Sequence, residues 1–303
     1  MRIGTRASAL ARAQSEWVAE RLRQAWTGLE VTLEPIVTAG DRTQASGERL
    51  PAIGGKGLFT AELERALREG EIDLAVHSLK DLPTEDAPGV VVGAVCARED
   101  PGDCLVARDG LTLARLPPGA RVGTSSLRRA AQLRAARRDL DVVSIRGNVD
   151  TRVRKVREGE VDAAVLAAAG VRRLGLEHEV AEWLPPGVML PAPGQGALAV
   201  QCREGDETVA PLLAGLEDAA ARAETTAERA FLRALGGGCT APVGARAELV
   251  APGTVRLDAL VASPDGSEVV RVHGDGEPAE VGERLAREAL AAGAERVLAA
   301  IRG

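Results

Sequence analysis

The 303-residue chain contains no Tyr, two Phe and three Trp, and only three of its 38 basic residues are Lys, so Arg supplies the other 35. So few aromatic rings argue against the stacking platforms on which proteins hold single-stranded nucleic acid. The net charge of −6 argues against a protein that coats DNA through its overall field. Cysteine is scarce as well: Cys96, Cys104, Cys202 and Cys239 form no CxxC pair, and four in a chain this long make no disulfide framework. His77, His178 and His273 lie far from them in sequence, so no metal site is expected. The longest uncharged run, Trp183 to Cys202, is broken by four prolines and three glycines and does not read as a membrane span. The opening MRIGTRASALARAQ has Arg and polar residues where a secretory signal carries a continuous apolar stretch, and the expected location is the cytoplasm.

What is present is an ordinary globular composition, 45% hydrophobic and 27% charged, in a chain long enough for two or three domains. Its charge is uneven. From Arg121 to Arg157, ten Arg and one Lys face only Asp139, Asp141 and Asp150, a net +8 that leaves −14 for the remainder. A solvated helix face accounts for Arg134, Arg137 and Arg138. A basic basin in an acidic protein also suggests an anionic ligand.

Short apolar runs alternate with helical patterns: Arg2 to Gly4 and a helix from Ser8, Ile72 to Val76, Val90 to Val95, Arg121 to Gly123 and a helix near Ser125, Val142 to Ile145 and a helix near Val149, then Ala163 to Ala167 and a short helix before Gly175. This alternation predicts an α/β fold with mainly parallel, doubly wound sheets. On the first helix Leu10, Ala13, Trp17, Val18, Leu22 and Ala25 share a face, which predicts Trp17 in the core, with Ser8 as N-cap. Phe59, Leu63, Ala66 and Leu67 give a second such stripe. Thr254 to Ala262 and Glu268 to His273 read as strands joined by the turn Ser263-Pro264-Asp265-Gly266, followed by a helix from Pro278 to about Gly293. The expected domains are therefore residues 1–98 with 197–214, residues 99–196, and a small α+β domain over residues 215–303.

In open α/β sheets, ligands gather beyond the carboxyl ends of strands, where helix N-termini converge. Four unusual segments fall there: Gly4-Thr5-Arg6-Ala7-Ser8, His77-Ser78-Leu79-Lys80-Asp81, Gly123-Thr124-Ser125-Ser126-Leu127-Arg128-Arg129 and Arg146-Gly147-Asn148. Each joins small or hydroxylated residues to a cation. Plain N-capping would explain one; four on sheet edges point to an anion site.

Two of the three lysines, Lys56 in GGKG and Lys80 in SLKD, lie in such segments of a chain that elsewhere uses Arg. Gly55-Lys56 is no phosphate-binding P-loop, because Leu50 and Gly57 stand where that motif needs Gly and Ser or Thr. Asp81 follows a buried-looking strand beside Lys80, His77 and Ser78. A carboxylate there can stabilise a developing cation or exchange a proton with a leaving group; the plainer reading is a loop carboxylate paired with Lys80. Cys239 follows Gly236-Gly237-Gly238, a tether on which a thiol can reach a neighbouring group. With no His or Asn nearby in sequence, covalent attachment is favoured over cysteine hydrolysis.

Taken in order, GTRASALA, GGKGLF, HSLKD, GTSSLRR, RGNVDTR, PAPGQGA and ERAFLRALGGGC closely resemble the porphobilinogen deaminase family, also called hydroxymethylbilane synthases, over nearly the whole chain. The resemblance implies two periplasmic-binding-protein-like lobes and a small C-terminal domain, with a covalent dipyrromethane cofactor in the cleft of the lobes. It implies head-to-tail joining of four porphobilinogen molecules with release of ammonia, then hydrolysis to the linear tetrapyrrole hydroxymethylbilane, by a cytoplasmic monomer. On this carry-over Cys239 is the thioether anchor. Asp81 is the catalytic carboxylate that holds pyrrole N–H groups, stabilises the cationic methylene-pyrrolenine and assists departure of the amine. Ser78, Lys80, Thr124, Ser126, Arg128, Arg129, Arg152 and Arg173 hold the cofactor, its acetate and propionate groups above all. Arg6, Ser8, Gln14, Lys56, Arg146 and Gln195 serve the substrate or the growing chain.

The chain departs from the family at Gly236, where an acidic residue is usual, and at Pro193, where another residue is commoner. The first would loosen the cofactor loop and the second stiffen the crossing of the chain from lobe to lobe. Two other classes stay open at this stage: a two-lobed anion-binding sensor or transport module with no use for Cys239, and a nucleic-acid binder using residues 121–157, which the acidic remainder disfavours.

Overall fold

The computed structural model describes residues 1–40, 60–236 and 241–302. In chain order its elements are β1 (Arg2–Thr5), α1 (Ala9–Ala25), β2 (Thr32–Pro35), α2 (Ala61–Arg68), β3 (Leu74–Ser78), β4 (Val90–Val95), β5 (Asp103–Ala107), β6 (Arg121–Gly123), α3 (Leu127–Ala136), β7 (Asp141–Val143), α4 (Val149–Arg157), β8 (Ala163–Ala167), α5 (Ala168–Arg173), β9 (Val180–Leu184), β10 (Leu198–Arg203), α6 (Ala210–Leu213), α7 (Ala219–Ala234), β11 (Val243–Ala251), β12 (Thr254–Ala262), β13 (Val269–Gly276), α8 (Pro278–Ala289) and α9 (Glu295–Arg302). They form two compact units, Met1–Glu99 with Ala197–Arg222, and Asp100–Gly196 with Ala223–Gly303.

The first unit is built on a five-stranded sheet in the order β2-β1-β3-β10-β4. Strand β1 runs parallel to β2 and β3, while β10 runs antiparallel between β3 and β4. The second unit repeats the plan as β7-β6-β8-β5-β9: β6 is parallel to β7 and β8, and β5 is antiparallel to both its neighbours. The two expected α/β lobes are therefore present, but each sheet is mixed rather than mainly parallel. Strand direction is invisible to an apolar run, because the alternation of side chains is the same whichever way the strand runs.

Helix α1 starts where Ser8 accepts the amide N–H of Ala11 at 3.2 Å. It buries Val18, Ala19 and Leu22 against Ile3, Leu74, Val76, Leu198 and Val200. Trp17 is not core: it is 38% exposed, and the Arg21 guanidinium lies 5.1 Å from its ring centroid. The buried face turns instead toward Gln14 and Ser15, polar residues that an apolar stripe discounts. On the other side of the sheet Leu63, Ala66 and Leu67 of α2 pack with Ile72, Ala75 and Val90; Phe59 lies outside the described residues. A side chain at Gly4 would strike Leu63 and Ile72, so this glycine of the first motif permits the close approach of α2.

The second unit also carries the antiparallel sheet β11-β12-β13, whose inner face packs with Ala227, Phe231, Val281, Leu285 and Ala286. The turn between β12 and β13 closes on Asp265, which accepts from Ser263 Oγ at 2.6 Å and from the Ser267 amide at 3.1 Å, with Gly266 at φ 73°. Its tip rests on α3, where Arg134 donates to the Pro264 carbonyl at 2.7 Å.

Helices α7 and α8 meet at Gly282, where a β-carbon would fall on the Ala227 carbonyl oxygen and lie 2.9 Å from the Phe231 nitrogen. Backbone cannot yield as a side chain can. Gly282→Ala is expected to cost about 1–3 kcal/mol in urea unfolding, while Gly187→Ala, at an open position, should leave the midpoint unchanged.

Candidate functional site

In the first unit, the site segments cluster at the ends of β1 and β3. Ser78 closes β3 and receives a 3.0 Å hydrogen bond from Gln14 Nε2, so the buried polar end of α1 reaches the HSLKD segment. Ser8 caps α1, and Arg6 precedes it in the same loop. Lys80 is half-buried. Leu79–Asp81 make a single 3₁₀ turn, anchored by the Leu79 amide donating to the Ala197 carbonyl at 3.0 Å. This turn exposes Asp81, whose carboxylate meets no hydrogen-bond or ion-pair partner among the described residues; it is not paired with Lys80. His77 is buried within β3. Burial first, then the positive charge of Arg6, push its pKa down to about 4.

In the second unit the GTSSLRR segment leads from β6 into α3. Thr124 Oγ1 accepts the Ser126 amide at 3.1 Å, and Ser126 caps the helix by accepting the Arg129 amide at 3.4 Å. The expected cradle hydroxyls thus order the loop that presents the arginines. Arg128 and Arg129, 4% and 6% exposed, converge on Asp103, the first residue of β5. Arg128 Nη1 donates to Oδ2 at 2.6 Å, and Arg129 donates to Oδ1 through Nη2 at 2.7 Å and Nε at 3.2 Å. Gln195 Nε2 donates to the same Oδ1 at 2.8 Å. Burial would raise the Asp103 carboxyl pKa, yet the two guanidinia hold it well below the usual carboxylate range.

Arg152 on α4 donates from Nε to the Gly147 carbonyl at 2.8 Å, and no described carboxylate bonds to it. Burial, then the charge of Arg129, lower its pKa to about 10. Arg173 at the end of α5 donates to the Gly196 carbonyl at 2.7 Å, and Arg146 is exposed after β7. Lys56 and Cys239 lie outside the described residues. The residue that motif reading missed is Asp103. An acid opening the apolar strand DCLVA was its signal, since a buried carboxylate must find cations.

The family model "Porphobilinogen deaminase, dipyromethane cofactor binding domain" matches residues 1–211 and "Porphobilinogen deaminase, C-terminal domain" matches residues 222–291. The chain belongs to the porphobilinogen deaminase family. Relatives named porphobilinogen deaminase include that of Roseiflexus castenholzii, 52% identical over 98% of this chain and 98% of its own. That of Syntrophotalea carbinolica is 50% identical over 99% of this chain and 96% of its own. Among solved structures, the BvgS VFT2 domain of Bordetella pertussis is 19% identical with a TM-score of 0.42, over 71% of this chain and 85% of that one.

The residues present fit the acid-bearing cofactor for which the first matched domain is named. Arg128 and Arg129 bring two cations to one described carboxylate, Arg152 adds a third positive charge felt by Arg129, and the buried Arg128 Nε has no hydrogen-bond partner among the described residues. Such an excess calls for anionic groups from a ligand.

The buried neutral His77 ties lobe stability to pH. In the unfolded chain it titrates near 6.5, so between about 6.5 and 4 the unfolded state binds a proton that the folded state does not. Stability is therefore expected to fall as pH drops through that window, and His77→Gln should flatten the slope in denaturant titrations run from pH 7 to pH 4.

Proposed function

We propose that this member of the porphobilinogen deaminase family works through two separate groups of its residues: an exposed carboxylate in the first unit and an arginine basin in the second. The chain is a transferase, a hydroxymethylbilane synthase, which joins four porphobilinogen molecules head to tail with release of ammonia and hydrolyses the product to linear hydroxymethylbilane. The observation that carries the residue-level reading is the excess of guanidinium over carboxylate at the buried Arg128 and Arg129, with the half-buried Arg152 adding its charge to that of Arg129.

When bound, the dipyrromethane cofactor supplies the pyrrole terminus on which the chain is extended. Arg152, Arg128, Arg129, Arg173, Lys80, Thr124 and Ser126 hold its acetates and propionates, with Ser78 also binding the cofactor; Thr124 and Ser126 order the loop that carries the arginines as well. Cys239 is the thioether anchor. Asp81 binds the pyrrole N–H groups and exchanges a proton with the departing amine; its exposure and lack of a described partner suit that task. Arg6, Ser8, Gln14, Lys56, Arg146 and Gln195 serve the substrate or growing chain. Of these, Gln14 supports Ser78, and Gln195 acts through Asp103.

The same reading takes residues 1–98 with 197–214, 99–196 and 215–303 as three domains, which the three separate sheets support. It also takes the enzyme as a cytoplasmic monomer; no helix among the described residues is long and apolar enough to cross a membrane.

Intact-protein mass spectrometry tests the anchor. Chain purified from a host that makes porphobilinogen is expected to be heavier than its sequence by two pyrrole units, and Cys239→Ser is expected to lack the increment; an unmodified wild-type chain would overturn the reading. For the carboxylate, Asp81→Ala should retain the melting temperature while turnover drops by about 10²–10⁴-fold. Wild-type turnover would show that another group carries the proton.

A further inference from the structure

We propose that Asp103 is a positioning residue, a fixed internal anion that sets Arg128 and Arg129 in the geometry from which they meet the ligand's carboxylates. This rests on the reading of those arginines given above. Consecutive cations in the first turn of α3 oppose the positive end of the helix dipole, and burial at 4% and 6% exposure removes the water that would screen them from each other. The pKa of Arg128 is lowered, by burial above all, so the arrangement is costly without a counterion.

Asp103 provides that counterion from a rigid place. It opens β5, the antiparallel strand paired with Ala167 of β8 on one side and Leu184 of β9 on the other. Its oxygens divide the work: Oδ2 takes Arg128 Nη1, while Oδ1 takes Arg129 Nη2 and Nε together with Gln195 Nε2. Both guanidinia are also tied to backbone carbonyls, Arg128 to Leu190 and Arg129 to Val165. These contacts fix one side of each fork. With one carboxylate against two guanidinia, the cluster keeps a net positive charge, and with it an affinity for the ligand's acids.

The role makes a demand that a purely structural one does not. Asp103→Asn removes the charge and presents an amide donor toward guanidinium donors. Expected are a lower melting temperature, a KM for porphobilinogen raised roughly tenfold or more with kcat less affected, and a smaller fraction of folded chains carrying the two-pyrrole mass increment. Asp103→Glu keeps the charge but moves the oxygens by one methylene, and it carries the test should the Asn variant not fold. Its melting temperature should stay nearer wild type while KM still rises. Folded variants with wild-type KM and wild-type loading would overturn the proposal. A wild-type chain without the increment would instead overturn the reading on which it rests.

Discussion

A carboxylate buried beside two buried guanidinia is the constraint on which the second unit depends. Removing any of these ions from water costs several kcal/mol, and the cost is offset only if every charge finds close, well-directed partners. Asp103 meets that condition with four donor contacts, three from guanidinium and one from an amide. Because those donors come from α3 and from the segment before β10, one ionic cluster fixes a helix start and a chain crossing together. Asp103 is the carboxylate that both buried arginines meet from the first turn of α3.

The segment that crosses there is secured by the same accounting of buried polar groups. Gln132 pairs with both sides of the Leu190 peptide, its Nε2 donating to the carbonyl at 3.0 Å and its Oε1 accepting the amide at 2.8 Å. Glu228, fully buried on α7, accepts the Gly194 and Ala247 amides at 2.7 and 2.8 Å, and the Ala245 amide donates to Pro191 at 2.9 Å. Gly194 and Gly196 adopt φ of 76° and 89°, which other residues rarely take, so the glycines of PAPGQGA shape this path between prolines that stiffen it. The third sheet, α3 and the crossing are thus held by one polar network within a single unit. Gln195, expected to serve the substrate, donates to Asp103 from the same segment.

Local pattern revealed the elements better than their arrangement. Val90–Val95, Arg121–Gly123, Ala163–Ala167 and Thr254–Ala262 have the bounds that their apolar runs suggest, and Ser8 caps α1 as expected. Strands β5 and β10, each next to an edge strand and antiparallel to both neighbours, were not legible, because pairing and direction depend on the path of the chain between sheets. Trp17 was misjudged for a related reason: Gln14 is buried to reach Ser78, which turns the inner face of α1 away from the ring. The order of the motifs disclosed the basic site, but not the anion beneath it. Asp103 lies outside every Arg-rich segment and meets its partners only through tertiary folding.

The chain places two acids in opposite environments, and the proposed reading gives them two tasks. Asp103 is enclosed by cations that keep it ionised, and its oxygens are committed, which makes it a fixed charge and a poor proton carrier. Asp81 stands exposed on a single turn after β3, with no described partner to compete for its proton or its lone pairs. A general acid or base needs that freedom, because a group already saturated with strong donors must break them before it can exchange a proton. The Arg excess divides along the same line. Arg65 and Arg154 make exposed pairs with neighbouring glutamates, contacts worth little singly, whereas Arg128 and Arg129 are buried and share a single carboxylate. A ligand bearing carboxylates completes that balance. On the proposed reading, charged side arms also supply the hold on pyrroles that stacking would otherwise provide in a chain with almost no aromatic side chains.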